Sequence, residues 1–390
     1  MMMKTILSTL IWLASVTAWA QDSLALRLDS LLDDPLFETT QVGLMVYDLQ
    51  GDSVLFQHQA RQLMRPASTM KLVTAITALD HLGGDYEYKT RFCYSGTLSG
   101  ATLKGNLYVI GGFDPTLTAD DVATMVESIR DQGVDTIRGN LVADRTMKEK
   151  LDYGEGWCWD DDNPMLIPLT IGRKDIFMST LKRELQRQGV VLVGGQLLEG
   201  PAPTNARTLS VYRHSIDVIL ERMLKDSDNF YAESMFYQTA ASSGRKLAKA
   251  TDARNITRQL IRRLGLSGEQ YRIADGSGLS LYNYVSPELL VRLLIHAYRT
   301  PNIISHLMPA LPIAGVDGTL KKRMIDTPAY DNVKAKTGTV TGISALAGFL
   351  TTADGRPLCF AIINQGIQRS ADGRAFQDRV CATLCGGQLQ

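Results

Sequence analysis

A serine and a lysine three residues apart open an apolar, helix-like stretch of the chain. Ser68 and Lys71 lie in the segment RPASTMKLVTAITAL, directly after Pro66. Residues three apart on a helix share a face, so the amine can reach the hydroxyl. The helix N-terminus adds free N–H groups and positive potential, which would stabilise an oxyanion. The pair is therefore either a nucleophile with its general base, or a helix cap beside a solvated lysine.

The same S-x-x-K spacing occurs twice more, and its surroundings separate the three copies. The copy at Ser179 lies in the charged segment MSTLKRELQRQG, and the copy at Ser243 lies beside a glycine turn. Only Ser68 begins a helix whose remainder is apolar. Burial under such a helix would lower the pKa of Lys71, as base catalysis requires.

A second motif, Ser227-Asp228-Asn229, falls in a break between two helical segments. Ser227 could relay a proton there, and Asn229 could hydrogen-bond a peptide or Lys71. The alternative is a plain N-cap for a helix that begins at Phe230.

A third motif, Lys336-Thr337-Gly338, lies in the β-branched segment VKAKTGTV, which predicts a strand. Gly338 would leave one face of that strand bare, so that another backbone can lie against it. Lys336 and Thr337 could hold a carboxylate, and the N–H of Thr339 could form an oxyanion hole with that of Ser68. The alternative is a strand-to-turn segment with a solvated lysine.

The elements around these motifs predict an α+β fold. A hairpin-like segment near the start, VGLMVYDLQGDSVLFQHQ, and three β-like runs near the end predict one antiparallel sheet built from both ends of the chain, with helices packed beside it. From about Tyr86 to Ala206, short β-like runs alternate with turns around a helix capped by Thr118 and Asp121. This alternation of short β-like runs and turns around a helix predicts a smaller inserted α/β domain.

Composition indicates a soluble globular protein and no nucleic-acid partner. The chain has 390 residues, 45% hydrophobic and 21% charged, with a formal net charge of zero. Its five cysteines do not have the spacing of a zinc site, and we expect mostly free, buried thiols, with Cys93–Cys158 the one pair to check.

The first twenty residues are typical of a secretory signal peptide. Lys4 precedes an apolar run from Ile6 to Thr17, and Ala18-Trp19-Ala20 forms a cleavage-like site before Gln21. The alternative is a membrane anchor, although the run is shorter than the roughly 20 residues that a span needs. We expect an exported, periplasmic protein with no transmembrane span after cleavage.

In this order, the three motifs resemble those of class C low-molecular-mass penicillin-binding proteins, the D-alanyl-D-alanine carboxypeptidase/endopeptidases of penicillin-binding protein 4 type. The segments GGFDPTL, from Gly111 to Leu117, and DGSGLS, from Asp275 to Ser280, are also similar to that family. The resemblance implies a serine β-lactamase/penicillin-binding-protein-like transpeptidase fold. Residues 21–85 and 207–390 would form the penicillin-binding domain, interrupted by a shortened insert at 86–206.

The resemblance also implies a mechanism without metal or organic cofactor. Ser68 would attack the carbonyl of the penultimate D-alanine of a peptidoglycan stem peptide, and β-lactams would acylate the same hydroxyl. The catalytic residues it implies are Ser68, Lys71 and Ser227, and the substrate-binding residues are Asn229, Lys336, Thr337, Gly338 and Thr339.

Two rival functions remain at this point. A β-lactamase of class A would carry an E-x-x-L-N signature, and the chain contains no Leu-Asn dipeptide. A non-catalytic wall-binding module would keep the groove without turnover, although all three motifs are complete. The sequence leaves open the balance of carboxypeptidase and endopeptidase activity, the oligomeric state and the role of the shortened insert.

Overall fold

The computed structural model describes residues 24–158, 160–161 and 164–386, which build two β-sheets with helices packed on them. The signal segment predicted for residues 1–20 lies outside the described residues. Within the described ranges, no helix is long and apolar enough to cross a membrane.

The first sheet has five antiparallel strands drawn from both ends of the chain, as predicted. In spatial order they are β10 (Lys334–Val340), β11 (Ile343–Thr351), β12 (Pro357–Gln365), β1 (Gln41–Asp48) and β2 (Ser53–His58). The two ends of the chain meet where β1 pairs with β12, with Gln41 opposite Gln365. Strand β10, which carries the third motif, lies at the edge.

Both faces of this sheet are buried, and successive side chains alternate between two cores. Phe360 and Ile362 of β12 pack on one face with helix α10 (Ser370–Leu384) and a helix at residues 24–30, α1. Ala361 and Ile363 pack on the other face, against the main helical layer. This burial on both faces explains the nearly continuous apolar sequence of the strands.

The main helical layer holds the helices that begin at the predicted motifs. Its members are α2 (Met70–Leu82), α5 (Ile216–Lys225), α6 (Asn229–Ala241), α7 (Ala250–Arg263), α8 (Pro287–Arg299) and α9 (Pro301–Ala310). Helix α2 is buried from Met70 to Leu79, and α6 is buried from Phe230 to Ala240. These two helices therefore lie at the centre of the layer, and their N-termini are held firmly.

The second sheet is mixed and has its own core with helices α3 (Ala119–Arg130) and α4 (Phe177–Arg187). Its strands are β3 (Glu87–Tyr94), β4 (Thr97–Ser99), β5 (Thr102–Lys104), β6 (Leu107–Ile110), β7 (Thr136–Asp144), β8 (Val191–Glu199) and β9 (Arg207–Ser215). Strand β7 is parallel to β5, β6 and β8, whereas β3 is antiparallel to β6 and β9. The capping box of Thr118 and Asp121 on α3 is present, as predicted.

The chain enters and leaves the second sheet at neighbouring points. Glu87 at the start of β3 lies opposite Ser215 at the end of β9, and the N–H of Ile216 donates to the carbonyl of Tyr86 at 2.9 Å. The insert predicted for residues 86–206 ends just before β9. The division into domains stays a prediction.

All five cysteines are free, so the pair Cys93–Cys158 does not form. Four of the thiols are buried as predicted, whereas Cys158 is exposed. Cys93, by contrast, is buried on β3.

Candidate active site

Ser68 lies in a tight turn that presents its hydroxyl at the start of α2. A 3-10 turn, Ala67–Thr69, precedes the helix, and Ala67 has a φ of 47°, in the left-handed region. Ser68 is half-buried while both of its neighbours are buried. The turn is covered by Gly278, where an added Cβ would lie 1.9 Å from the carbonyl oxygen of Ala67. Packing therefore holds this strained turn in place.

Lys71 is fully buried, and its ammonium group donates three hydrogen bonds. The acceptors are Ser68 Oγ at 3.0 Å, Asn229 Oδ1 at 2.7 Å and the carbonyl of Ser277 at 2.8 Å. Burial lowers the pKa of Lys71 to about 8, although the nearby carboxyl groups raise it in part. A fraction of the amine is therefore neutral near pH 7 and can accept a proton from Ser68.

The second motif divides into a helix cap and two residues that face the lysines. Asp228 caps α6, and its carboxylate accepts from two backbone N–H groups at 3.0 and 3.3 Å. Ser227 has a φ of 61°, and its hydroxyl accepts from Lys336 Nζ at 2.9 Å. Asn229, the first residue of α6, accepts from Lys71. The capping alternative and the functional hypothesis are therefore both compatible with this geometry.

Lys336 is the second fully buried lysine of the site. Besides Ser227, it donates to the carbonyl of Thr337 at 2.9 Å. Burial lowers the pKa of Lys336 well below its usual value, and the charge of Lys71 lowers it further. The solvated lysine of the alternative interpretation is therefore excluded by its burial.

Strand β10 lies directly against the turn that carries Ser68. At Gly338 an added Cβ would lie 2.7 Å from the carbonyl oxygen of Pro66, so glycine permits the close backbone approach that the sequence predicted. Thr337 is half-buried and donates to the hydroxyl of Thr319 at 2.8 Å, and Thr339 is exposed on the same strand. All eight predicted site residues thus lie on elements that meet at one edge of the first sheet.

Sequence reasoning missed a buried glutamate beneath Lys71. Glu233 Oε1 accepts from the backbone N–H groups of Gly276 at 3.0 Å and Ser277 at 2.8 Å. Burial, together with the nearby charge of Asp275, raises the pKa of Glu233 to about 8. The carbonyl of Ser277 accepts a hydrogen bond from Lys71, so by binding this loop Glu233 also positions the amine of Lys71. The available signal was its place on α6, one turn after Asn229.

Asp275 fixes the same loop from its other side. Its carboxylate accepts from the N–H groups of Gly278 at 2.8 Å and Ser280 at 2.7 Å, and from the side chain of Asn283 at 2.7 Å. It also accepts from the indole N–H of Trp157 at 2.9 Å. The segment DGSGLS is therefore a rigid support for Lys71. Among the residues that the structure describes, no group of His, Cys, Asp and Glu side chains is arranged to hold a metal ion.

Comparison of the sequence with known proteins gives a family over nearly the whole described chain. Residues 24–169 and 172–384 match the D-Ala-D-Ala carboxypeptidase 3 (S13) family. The D-alanyl-D-alanine carboxypeptidase DacB of Haemophilus influenzae is 24% identical over an alignment of 413 positions, which covers 84% of this chain and 86% of that protein. The D-alanyl-D-alanine carboxypeptidase of Actinomadura sp. strain R39 is 26% identical over an alignment of 456 positions, which covers 92% of this chain and 83% of that protein.

Solved structures share the fold. Penicillin-binding protein 4 (dacB) from Haemophilus influenzae superimposes with a TM-score of 0.81 at 23% identity, covering 92% of this chain and 99% of that chain. A structure of the same protein in complex with a β-lactam gives a TM-score of 0.75 at 23% identity, covering 90% of this chain and 97% of that chain. The predicted α+β fold class is confirmed.

Proposed function

The chain belongs to the D-Ala-D-Ala carboxypeptidase 3 (S13) family and is a serine-type D-Ala-D-Ala carboxypeptidase, and we propose that Ser68 carries its acyl-enzyme. Peptidoglycan stem peptides are its substrates and β-lactams its inhibitors. The observation that carries the proposal is the fully buried Lys71 ammonium, 3.0 Å from the hydroxyl of Ser68.

Acylation begins when Ser68 Oγ attacks the carbonyl carbon of the penultimate D-alanine. The hydroxyl proton passes to the neutral amine of Lys71, and the C–N bond to the terminal D-alanine then breaks. The proton that Lys71 took up is relayed through the Ser227 hydroxyl to the leaving nitrogen, so Lys71 and Ser227 both return to their starting protonation states. Lys336 lies 2.9 Å from Ser227 Oγ and polarises this hydroxyl. Water then hydrolyses the ester on Ser68. General-base assistance of this kind is worth about 10²–10⁴ in rate.

Substrate binding uses strand β10. Lys336 and Thr337 hold the terminal carboxylate of the substrate, and an arriving carboxylate favours the charged form of Lys336, which burial otherwise disfavours. The N–H groups of Ser68 and Thr339 form the oxyanion hole, where each donor contributes roughly 10²–10³ in rate. The close approach at Gly338 supports this assignment, and Asn229 positions both Lys71 and the peptide.

A fluorescent penicillin tests the nucleophile directly. The wild-type protein should carry the label on a denaturing gel, and Ser68→Ala should not. Release of D-alanine from a peptide ending in D-Ala-D-Ala should follow the same pattern. An unlabelled wild type would favour the wall-binding module, and rapid loss of the label with release of hydrolysed penicillin would favour a β-lactamase.

Mass spectrometry of digested wall fragments measures the balance between the two peptidase activities. Loss of D-alanine from pentapeptides reports carboxypeptidase activity, and conversion of cross-linked dimers to monomers reports endopeptidase activity.

We also propose that the enzyme is exported to the periplasm, on the strength of the apolar segment from Ile6 to Thr17 and the site Ala18-Trp19-Ala20. N-terminal sequencing of the mature protein should then begin at Gln21. A mature chain that still begins at Met1 would refute cleavage.

A further inference from the structure

A cavity of about 480 Å³ lies between strand β3 and the far end of helix α6. Asn229 at the start of α6 binds Lys71, whereas Gln238 and Ala241 near its end line the cavity. At 1.5 Å per residue, the helix separates the cavity from the site at Ser68 by roughly 15 Å. The cavity is therefore a separate place on the molecule, joined to the site by a buried helix.

One face of β3 points into this cavity. Tyr88 and Phe92 are buried in the two cores, and the alternate side chains, among them Lys89 and Arg91, line the cavity. The same face also carries Glu87, so β3 contributes two cations and one acid to the lining of the cavity.

The opposite wall adds two more cations. The turn that follows α6 places Arg245 and Lys246 at the cavity. Within the part of the chain that the structure describes, no ion pair joins Arg91, Arg245 or Lys246 to an acid, whereas Lys89 lies 3.9 Å from Glu87.

The two acids of the cavity are already engaged. Glu87 binds Arg213 at 3.3 Å, besides its contact with Lys89. Asp144 Oδ1 accepts from the N–H and the hydroxyl of Thr146 at 2.9 and 2.6 Å, and Oδ2 accepts from the N–H of Ala202 at 2.8 Å. Four cations (Lys89, Arg91, Arg245 and Lys246) and two acids line the cavity, so its lining has a net charge of +2. The walls of a cleft focus such a positive potential.

We propose that this cavity is a second binding site for carboxylate-bearing stem peptides of the cell-wall polymer. The inference rests on the proposed function, since the substrate of the enzyme defines the ligand: a short peptide with free carboxylates. A volume of about 480 Å³ lies in the range of small-ligand sites. Because one polymer carries many stems, a stem held here raises the effective concentration of a neighbouring stem at Ser68.

The test measures binding while the catalytic site is blocked. Wild-type protein is first acylated with penicillin G, and a purified disaccharide-tetrapeptide is then titrated into it by calorimetry. We expect saturable binding that weakens as salt is raised. The double variant Arg91→Glu/Arg245→Glu should bind at least about tenfold more weakly, yet hydrolyse a short soluble D-Ala-D-Ala peptide at the wild-type rate.

A matched variant controls for the change in net charge. Lys104 and Arg138 are exposed, lie opposite each other on β5 and β7 of the same sheet, and do not line the cavity. The variant Lys104→Glu/Arg138→Glu should bind the disaccharide-tetrapeptide as the wild type does.

Three results would overturn the inference: no binding to the acylated wild type, equal binding by both double variants, or undiminished binding of a ligand whose carboxylates have been amidated. Failure of penicillin to acylate Ser68 would instead contradict the proposed function. In that case, the same titration on Ser68→Ala still decides whether the cavity binds the ligand.

Discussion

At the scale of single residues, burial makes two lysines of one site chemically unlike surface lysines and unlike each other. Lys71 has the carboxyl groups of Asp275 and Glu233 nearby, which limit the fall of its pKa. For Lys336, the neighbouring charge that shifts its pKa is that of Lys71, which lowers the pKa further. Lys71 is thus suited to exchange a proton, and Lys336 to bind an anion that restores its charge.

The lowered pKa of Lys71 predicts the pH dependence of acylation. Only the neutral amine can accept the proton of Ser68, and with a pKa of about 8 that form increases as pH rises. The acylation rate constant should therefore be about tenfold higher at pH 9 than at pH 7. Stopped-flow measurements with a chromogenic β-lactam between about pH 6 and 10 check this. A flat profile would exclude Lys71 as the base.

Glu233 should act as a positioning residue for Lys71. Glu233→Ala removes the acceptor for two N–H groups of the loop, and we expect acylation about 10–100-fold slower, since two buried donors lose their partner. Glu233→Gln keeps an acceptor but removes a carboxyl group that, with its pKa of about 8, carries its charge mainly at alkaline pH and there raises the pKa of Lys71. The acylation midpoint of Glu233→Gln should therefore move to lower pH. Unchanged pH profiles in both variants would assign Glu233 a merely structural role.

At the scale of elements, the sheet and the motif-bearing helices could be predicted, because their signals are local. The alternating and continuous apolar runs predicted the strands of the first sheet, and Pro66 with the apolar run after it predicted α2. The structure adds a 3-10 turn, Ala67–Thr69, before the helix. That turn could not be predicted, because its strained backbone is imposed by Gly278 and β10, which are distant in the sequence.

The close contact at Gly278 predicts an unusually large loss of stability on substitution. Gly278 has a φ of 82°, and its added Cβ would lie 1.9 Å from a backbone oxygen. We expect Gly278→Ala to lower the free energy of unfolding by about 2–4 kcal/mol and to slow acylation. Urea unfolding and penicillin labelling measure the two effects.

Gly355 offers the matched control for this variant. It has a φ of 85°, and its added Cβ would meet nothing within 4 Å. Gly355→Ala should therefore cost only about 1 kcal/mol. Equal losses in the free energy of unfolding for the two variants would show that the backbone conformation alone accounts for the glycine at position 278. The contact with the Ser68 turn would then have no part in it.

At the scale of the whole molecule, the segment between the first two motifs supports the proposed catalytic residues. Trp157 donates to Asp275, and Arg173 forms an ion pair with Asp228. The hydroxyl of Ser234 on α6 donates to the carbonyl of Phe113. None of these contacts could be predicted, because each joins residues that are separated by dozens of positions and carry no shared pattern. The segment therefore contributes contacts to the residues that surround the proposed catalytic site.

Trp157 should influence acylation without touching the nucleophile. Trp157→Phe keeps a ring but removes the N–H that Asp275 accepts, so the loop below Lys71 loses one of its supports. We expect acylation several-fold slower and a loss of roughly 1–2 kcal/mol in the free energy of unfolding. Tyr153→Phe, an exposed position in the same loop, should leave both unchanged. A wild-type acylation rate in Trp157→Phe would show that the segment does not influence Lys71.

The pairing of β1 with β12 limits the order in which parts of the enzyme can fold. Gln41 and Gln365 are 324 residues apart, so the opening hairpin leaves the ribosome long before its partner strand exists. The second sheet comes from one continuous stretch and can complete its own core earlier, since domains generally fold as units. Strand β10 and Lys336 can reach the turn that carries Ser68 only after nearly the whole chain has emerged. Reactivity toward penicillin should therefore require the C-terminal strands to be in place.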